Sequence, residues 1–170
     1  MEIWETWTKI NGEKIGDLKT YIESQIAERK VSNRNNKHDL EIMIGTDAMV
    51  RPSSKSKKEK NISFMTVIVF KKGLNGSHVI KRRSTETYSG FVPTAVKLNG
   101  EINRTAALAF WIRENIELDP HVHLDVNPSE TAGSFEVYKY IKGYFESCGF
   151  KNVEYKPKAI IASICADFFL

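Results

Sequence analysis

The chain has 170 residues and carries 25 Lys and Arg against 21 Asp and Glu, a formal charge of +4. That length suits one domain with a small appendage and can bury a core without disulfides or a structural metal. With 41% hydrophobic and 11% aromatic residues, wholesale disorder is excluded. No apolar run approaches the ~18–20 residues of a membrane span, and two cysteines, Cys148 and Cys165, make neither a disulfide framework nor a metal-ligand spacing.

The first residues, MEIWETWTKINGEKIGD, lack the basic and apolar regions of a secretory signal, so a soluble cytoplasmic protein with no membrane partner is expected. Ile15, Leu18, Ile22 and Ile26 recur at helical spacing and predict a helix over about 13–29, with Trp4 and Trp7 packing it onto the body. The polar stretch 32–39 reads as a connector. Leu40 to Asp47 reads as a strand ending at Asp47, and 51–61 as a flexible polar loop. The β-branched run Ile62–Phe70 predicts a buried strand. Asn75-Gly76 signals a hairpin into a third strand, His78–Tyr88. Residues 97–116 follow as a helix with Gly100 a weak spot near its start. The alternating stretch 121–127 predicts a strand, and Pro128-Ser129 opens a helix to about Ser147, with Gly149 at its C-cap. A short strand at 151–155 and a last helix beginning near Pro157 complete the chain. The expected fold class is α/β: an antiparallel three-strand meander plus βα units, giving a mixed five-stranded sheet with helices on both faces and an extra N-terminal helix.

The charge is unevenly spread. Residues 51–83 hold ten basic residues and one acid, a charge of +9 that leaves −5 on the rest. Such a block is either a solvated hairpin or a grip for a polyanion. Four acids stand out. Asp47 follows Gly45-Thr46 at a strand end, where it either turns the chain or reaches a cleft. Asp125 shares a strand face with His121, His123 and Asn127, a face either solvated or lining a polar site. Asp167 stands in the apolar run 157–170, where a buried carboxylate needs a cation, strong hydrogen bonds or an exit to solvent. Glu101 sits near a helix start, where the helix dipole alone favours an acid. His121, His123 and Asp125 also spell HxHxD, as in two-zinc hydrolases, but Val126 replaces the next histidine and the chain has only four. A single zinc on His121 and His123 stays open. Neither cysteine has an evident histidine partner, so a thiol nucleophile is not expected. Tyr138, Tyr140, Tyr144 and Phe145 share helical spacing and read as packing or partner-facing residues.

An Asp from the first core strand, a Glu from the next helix, an Asp from the fourth strand and an Asp from the last helix resemble the acidic layout of RNase H-like nucleases. More narrowly, IGTD at 44–47, TVIVF at 66–70, HxD at 123–125 and KPxAxxASxxAD at 156–167 resemble the YkuK-type predicted RNase H-like family, over about residues 38–168. The resemblance implies residues 1–36 as a helical extension and linker and 37–170 as an RNase H-like domain. It implies Asp47, Asp125, Asp167 and Glu101 as catalytic metal ligands. Glu114 is the fallback helix acid, and Thr105 and Ala106 occupy places where an RNase H-like enzyme would otherwise supply one. The metals implied are two Mg²⁺ or Mn²⁺ ions, ~3.5–4 Å apart, that hydrolyse a phosphodiester. Lys55, Lys57, Lys58, Lys71, Lys72, Lys81, Arg82 and Arg83 would hold DNA or RNA phosphates. Lys158 departs from the family pattern and would either reach a phosphate or pair with a carboxylate. The alternative is a non-catalytic nucleic-acid-binding or assembly protein with a degenerate site.

Overall fold

A computed structural model describes residues 6–32, 40–54, 58–72 and 76–170. Trp4, residues 33–39 of the connector, Lys55, Lys57 and Asn75 lie outside them. In chain order the elements are β1 (Thr8–Lys9), α1 (Leu18–Ser32), β2 (Leu40–Pro52), β3 (Glu59–Lys72), β4 (Ser77–Ser89), α2 (Thr94–Ile116), β5 (His121–Leu124), α3 (Phe135–Ser147) and β6 (Val153–Tyr155). A π-helical turn, Ile161–Ala166, and a 3-10 turn, Asp167–Phe169, follow.

The strands form one mixed sheet in the order β1-β4-β3-β2-β5-β6. β2, β3 and β4 are the antiparallel meander, while β5 runs parallel to β2 and β6 parallel to β5. The sheet has six strands rather than five. Thr8 and Lys9 pair with Lys81 and Ile80 on β4, an addition too short to leave a periodicity in sequence. The meander strands also run longer than expected. Arg51 pairs with Asn61 and Pro52 with Lys60, so part of the polar 51–61 segment is strand. Backbone pairing carries the ladder past the point where apolar side chains stop.

Strand alternation divides the core in two. Ile42, Ile44, Ile68, Phe70, Val122 and Leu124 face α1, α2 and α3, and Trp7 joins the same cluster. Met65, Val67, Val69 and Val79 face the other way and are covered by Ile161 and Ala166. Helical structure therefore lies on both faces. α3 starts at Phe135 rather than at Pro128, since turns occupy 130–134. Gly149 takes the positive φ of 77° that ends α3. No helix among the described residues is long and apolar enough to cross a membrane.

Gly100 is a point of close approach, well inside α2. A Cβ there would lie 2.5 Å from ring atoms of Phe64 on β3. Helix propensity alone would favour Ala, but the collision reverses the sign. Gly100→Ala is expected to destabilise the fold by about 1–3 kcal/mol, read as a lower urea midpoint at unchanged slope.

The meander's basic residues hold the C-terminal turns down. Arg83 donates to the main-chain oxygens of Phe169 (2.8 Å) and Leu170 (2.9 Å), and Arg51 to that of Leu170 (2.7 Å). The Lys81 ammonium sits 4.3 Å from the centre of the Phe169 ring. Arg83→Ala is expected to speed amide exchange in 166–170 while β2 and β3 stay protected, as measured by hydrogen–deuterium exchange.

Candidate functional site

β5 is short and β2 is long, and the site follows from that difference. The register pairs Met43 with His121 and Gly45 with His123. Continued by two residues, it sets Asp125 level with Asp47. β5 has ended by then, at Leu124, so its pairing with β2 stops at Gly45. This is the switch point of the sheet, where β2 has an antiparallel neighbour on one side and a parallel one on the other. Open α/β sheets place ligands at such points, beyond the carboxyl ends of parallel strands.

Asp47 stands within β2 opposite Met65 and does not end it, because the ladder continues to Pro52. It is buried, and its Oδ1 accepts the Ala48 N–H at 2.8 Å. Burial raises its pKa; the Ala48 N–H and Lys97 oppose the rise, and Asp125 and Asp167 add to it. Glu101 lies about two turns into α2, past the reach of the first-turn dipole, on the stripe that faces the sheet with Leu98, Ile102 and Thr105. It is only 4% exposed, and the Lys97 ammonium is what its buried Oε1 meets. Burial pushes the Glu101 carboxyl up to about 8, against the pull of Lys97 and with added repulsion from Asp47 and Asp125.

A chain of hydroxyls fixes these two acids relative to each other. Thr105 donates to Thr46 at 2.9 Å, and Thr46 meets Thr66 at 3.1 Å, all three buried. The chain ties α2 to β2 and β3, one residue from Asp47 and one helical turn from Glu101. Thr105 thus fills its place as a structural hydroxyl. Glu114 is exposed on the outer side of α2.

Asp125 sits just past the end of β5, half-buried. The β5–β6 register, Leu124 with Tyr155, sets Lys156 level with it, and the Lys156 ammonium lies 2.7 Å from Asp125 Oδ1. The approach is off the hydrogen-bonding direction, so that oxygen makes an ion pair without a hydrogen bond. Asp167 is exposed on the 3-10 turn, not buried in an apolar helix, because the turn lifts it out while Ala166 packs inward. It still acts on the charge of Asp47. Asp47 is therefore the electrostatic neighbour of the other three acids.

Two lysines complete the arrangement, and the sequence reading missed both. Lys97 bridges Asp47 Oδ1 at 3.5 Å and Glu101 Oε1 at 3.3 Å. Its place four residues before Glu101 on one helix face was the available signal. Burial lowers the Lys97 pKa, but Glu101 and Asp47 outweigh it and leave the value raised. Lys156 opens the Lys156-Pro157 motif, and Lys158, two residues on in the same turn, is exposed.

The donors are carboxylate oxygens, which suit a hard divalent cation, although the buried Glu101 Oε1 is already paired with the Lys97 ammonium. Among the described residues, however, no group of three or more His, Cys, Asp or Glu side chains is gathered closely enough to hold a metal ion. Ammonium groups sit against three of the four acids instead. That finding also leaves the His121 and His123 pair without a third zinc ligand. His123 is buried, and burial lowers its pKa.

The basic block divides by environment. Lys58 and Arg83 are exposed, Lys71 pairs with Glu41 at 3.0 Å, and Arg82 is buried. Lys72 ends β3. Arg83 and Lys81 already contact the C-terminal turns. Of the α3 aromatics, Phe145 is in the core and Tyr138 packs on Tyr155, whereas Tyr140 and Tyr144 line a groove of about 370 Å³ between α2 and α3. Cys148 and Cys165 are free thiols, and burial raises the Cys165 pKa, which argues against a thiolate nucleophile.

A family model described as ribonuclease H-like matches residues 24–169. No curated protein and no solved structure matches the chain.

Proposed function

Since the chain belongs to the ribonuclease H-like family, we propose that it is a divalent-metal-dependent nuclease that hydrolyses phosphodiester bonds of DNA or RNA. What supports this reading is that Asp47, Glu101 and Asp125 lie within electrostatic reach of one another beside β2, as Asp167 does of Asp47. The proposed ligands are those four acids, and the proposed ions are Mg²⁺ or Mn²⁺. A bound ion would supply Lewis acidity at a phosphodiester oxygen and at a water.

The protein's own groups prepare the site. The Ala48 N–H holds Asp47 Oδ1 in place. The threonine chain holds α2, and with it Glu101, at a fixed depth over the sheet. Burial keeps Glu101 short of charge stabilisation, so an arriving cation is favoured. Exposed Lys58 and Lys158 are the proposed phosphate contacts, with Lys71, Lys72, Lys81 and Arg83 of the meander next to consider. The test is a cleavage panel of single-strand, duplex, hybrid and branched substrates with Mg²⁺, Mn²⁺ or EDTA. Cleavage in none of them with either metal defeats the proposal.

The ion pairs of Lys97 and Lys156 favour a second reading, a nucleic-acid-binding protein whose acids are neutralised internally. Such a protein would keep its affinity in Asp47→Asn and cleave nothing in either form.

A further inference from the structure

The C-terminal turns carry an apolar run that their own packing does not use. Ile160, Ile164 and Phe168 recur every four residues and are 54%, 64% and 81% exposed. Ile161 and Ala166, between them, are the residues that pack on the meander. The Phe168 ring meets that of Phe169 at 84°, edge to face, with 5.1 Å between centres. Such a contact covers at most one face of the Phe168 ring and leaves the other open.

Three cations border this run. Arg83 opposes Met65 and Lys81 opposes Val67, the residues packed under the turns, and opposed residues of a ladder share a face. Arg51 reaches the same turns through Leu170. Among the described residues, none of the three is ion-paired with a side-chain carboxylate. The turns orient them without exhausting their donors. Arg83 commits Nη2 to the Phe169 and Leu170 oxygens, while a guanidinium carries five N–H groups.

The same face leads to the proposed site. Asp47 opposes Met65, and Met65 opposes Arg83. Asp47 and Arg83 therefore stand on one rung two strands apart, about 10 Å at the usual strand spacing. A duplex keeps its base faces stacked inside and shows phosphates and groove edges. A single strand also shows base faces, which stack on aromatic rings whatever the sequence. Cations alone suit either substrate; an open ring among them favours the single strand.

We propose that Phe168, Arg51, Lys81 and Arg83 form the surface that takes single-stranded DNA or RNA, with a base stacked on Phe168 and the flanking phosphates held by the cations. The inference rests on the nucleic-acid reading above and names its substrate class. Phe168 is then a specificity residue that favours a single strand over a duplex.

The test is fluorescence anisotropy of a fluorescein-labelled oligonucleotide with the full chain, as a single strand and annealed to its complement, in EDTA so that nothing is cleaved. Wild type is expected to bind the single strand more tightly. Phe168→Ala is expected to weaken single-strand binding by about tenfold, the worth of one stacked base, and to leave duplex binding unchanged. Phe168→Trp, which keeps an aromatic face, is expected to retain wild-type affinity. Arg51→Gln is expected to reduce the salt slope for the single strand by about 0.7, the share of one phosphate. Circular dichroism checks that each variant is folded, as the exposure of Phe168 leads one to expect. Unchanged single-strand affinity in Phe168→Ala, or an equal loss on the duplex, overturns the inference and leaves a nuclease standing. So does a wild-type dimer that Phe168→Ala splits in sedimentation while single-strand affinity holds, since the run then covers a second copy. Binding of neither probe to wild type overturns both the inference and the nucleic-acid reading.

Discussion

Asp47→Asn is expected to lower metal-dependent cleavage by about 10³-fold, equivalent to about 4 kcal/mol in the barrier, without unfolding the protein. Asp47 is where the elements of the site meet. It lies on the central strand, accepts the Ala48 N–H, pairs with Lys97 and interacts with Asp125 and Asp167. Asparagine has nearly the same shape and keeps an oxygen for the Ala48 N–H. It removes the negative charge that both Lys97 and a metal need. Burial already disfavours that charge in the metal-free fold, so thermal stability without metal should hold or rise slightly. The measurement pairs initial cleavage rates in Mn²⁺ with a thermal melt in EDTA. A variant that melts like wild type and cleaves at a comparable rate would remove Asp47 from the chemistry. A variant that is simply unfolded would show itself in the melt.

The acids were legible in sequence and the lysines were not, for a physical reason. Asp47, Asp125 and Asp167 stand beside glycine, strand alternation or an apolar run, so each looks out of place locally. Lys97 and Lys156 look ordinary, one on a helix and one before a proline, and acquire meaning only when β2, α2, β5 and β6 are brought together. Register explains the rest. A strand can be read from β-branched residues such as Val67–Val69, but its ends lie in polar residues that pair through backbone. The extension of β2 to Pro52 therefore put Asp47 inside the strand instead of at its end. Gly100 was misread by the same route: local propensity calls it a weak spot, and only the distance to Phe64 shows it as a requirement. The apolar neighbours of Asp167 leave open whether a partner or an exit to solvent satisfies it, and only the 3-10 turn decides, exposing Asp167 while Ala166 packs inward.

Metal-free protein is expected to lose stability as the pH rises from about 5 to about 8, and Glu101→Gln is expected to abolish most of that loss. Glu101 is raised from 4.5 to about 8 in the folded protein by burial. Between those two values the folded state holds a proton that the unfolded chain releases. Its contribution is therefore fully present below pH ~4.5 and is lost as the pH climbs through the folded value. At one pKa unit per 1.36 kcal/mol, the full span is about 5 kcal/mol at most. Glutamine is neutral throughout and mimics the protonated acid in size, so the variant should match wild type near pH 5 and exceed it near pH 9. Groups that do not interact with Glu101 titrate equally in both proteins, so the difference between their urea curves reports Glu101 together with its neighbours Lys97, Asp47 and Asp125. Parallel stability–pH profiles would mean that burial does not keep this carboxyl protonated in the folded protein. Adding Mn²⁺ at pH 8 should then restore stability to wild type by mass action on the folded state and do less for Glu101→Gln. The same burial that weakens the empty fold at high pH thus makes Glu101 a strong attractor for a cation, and the two effects should rise together with pH.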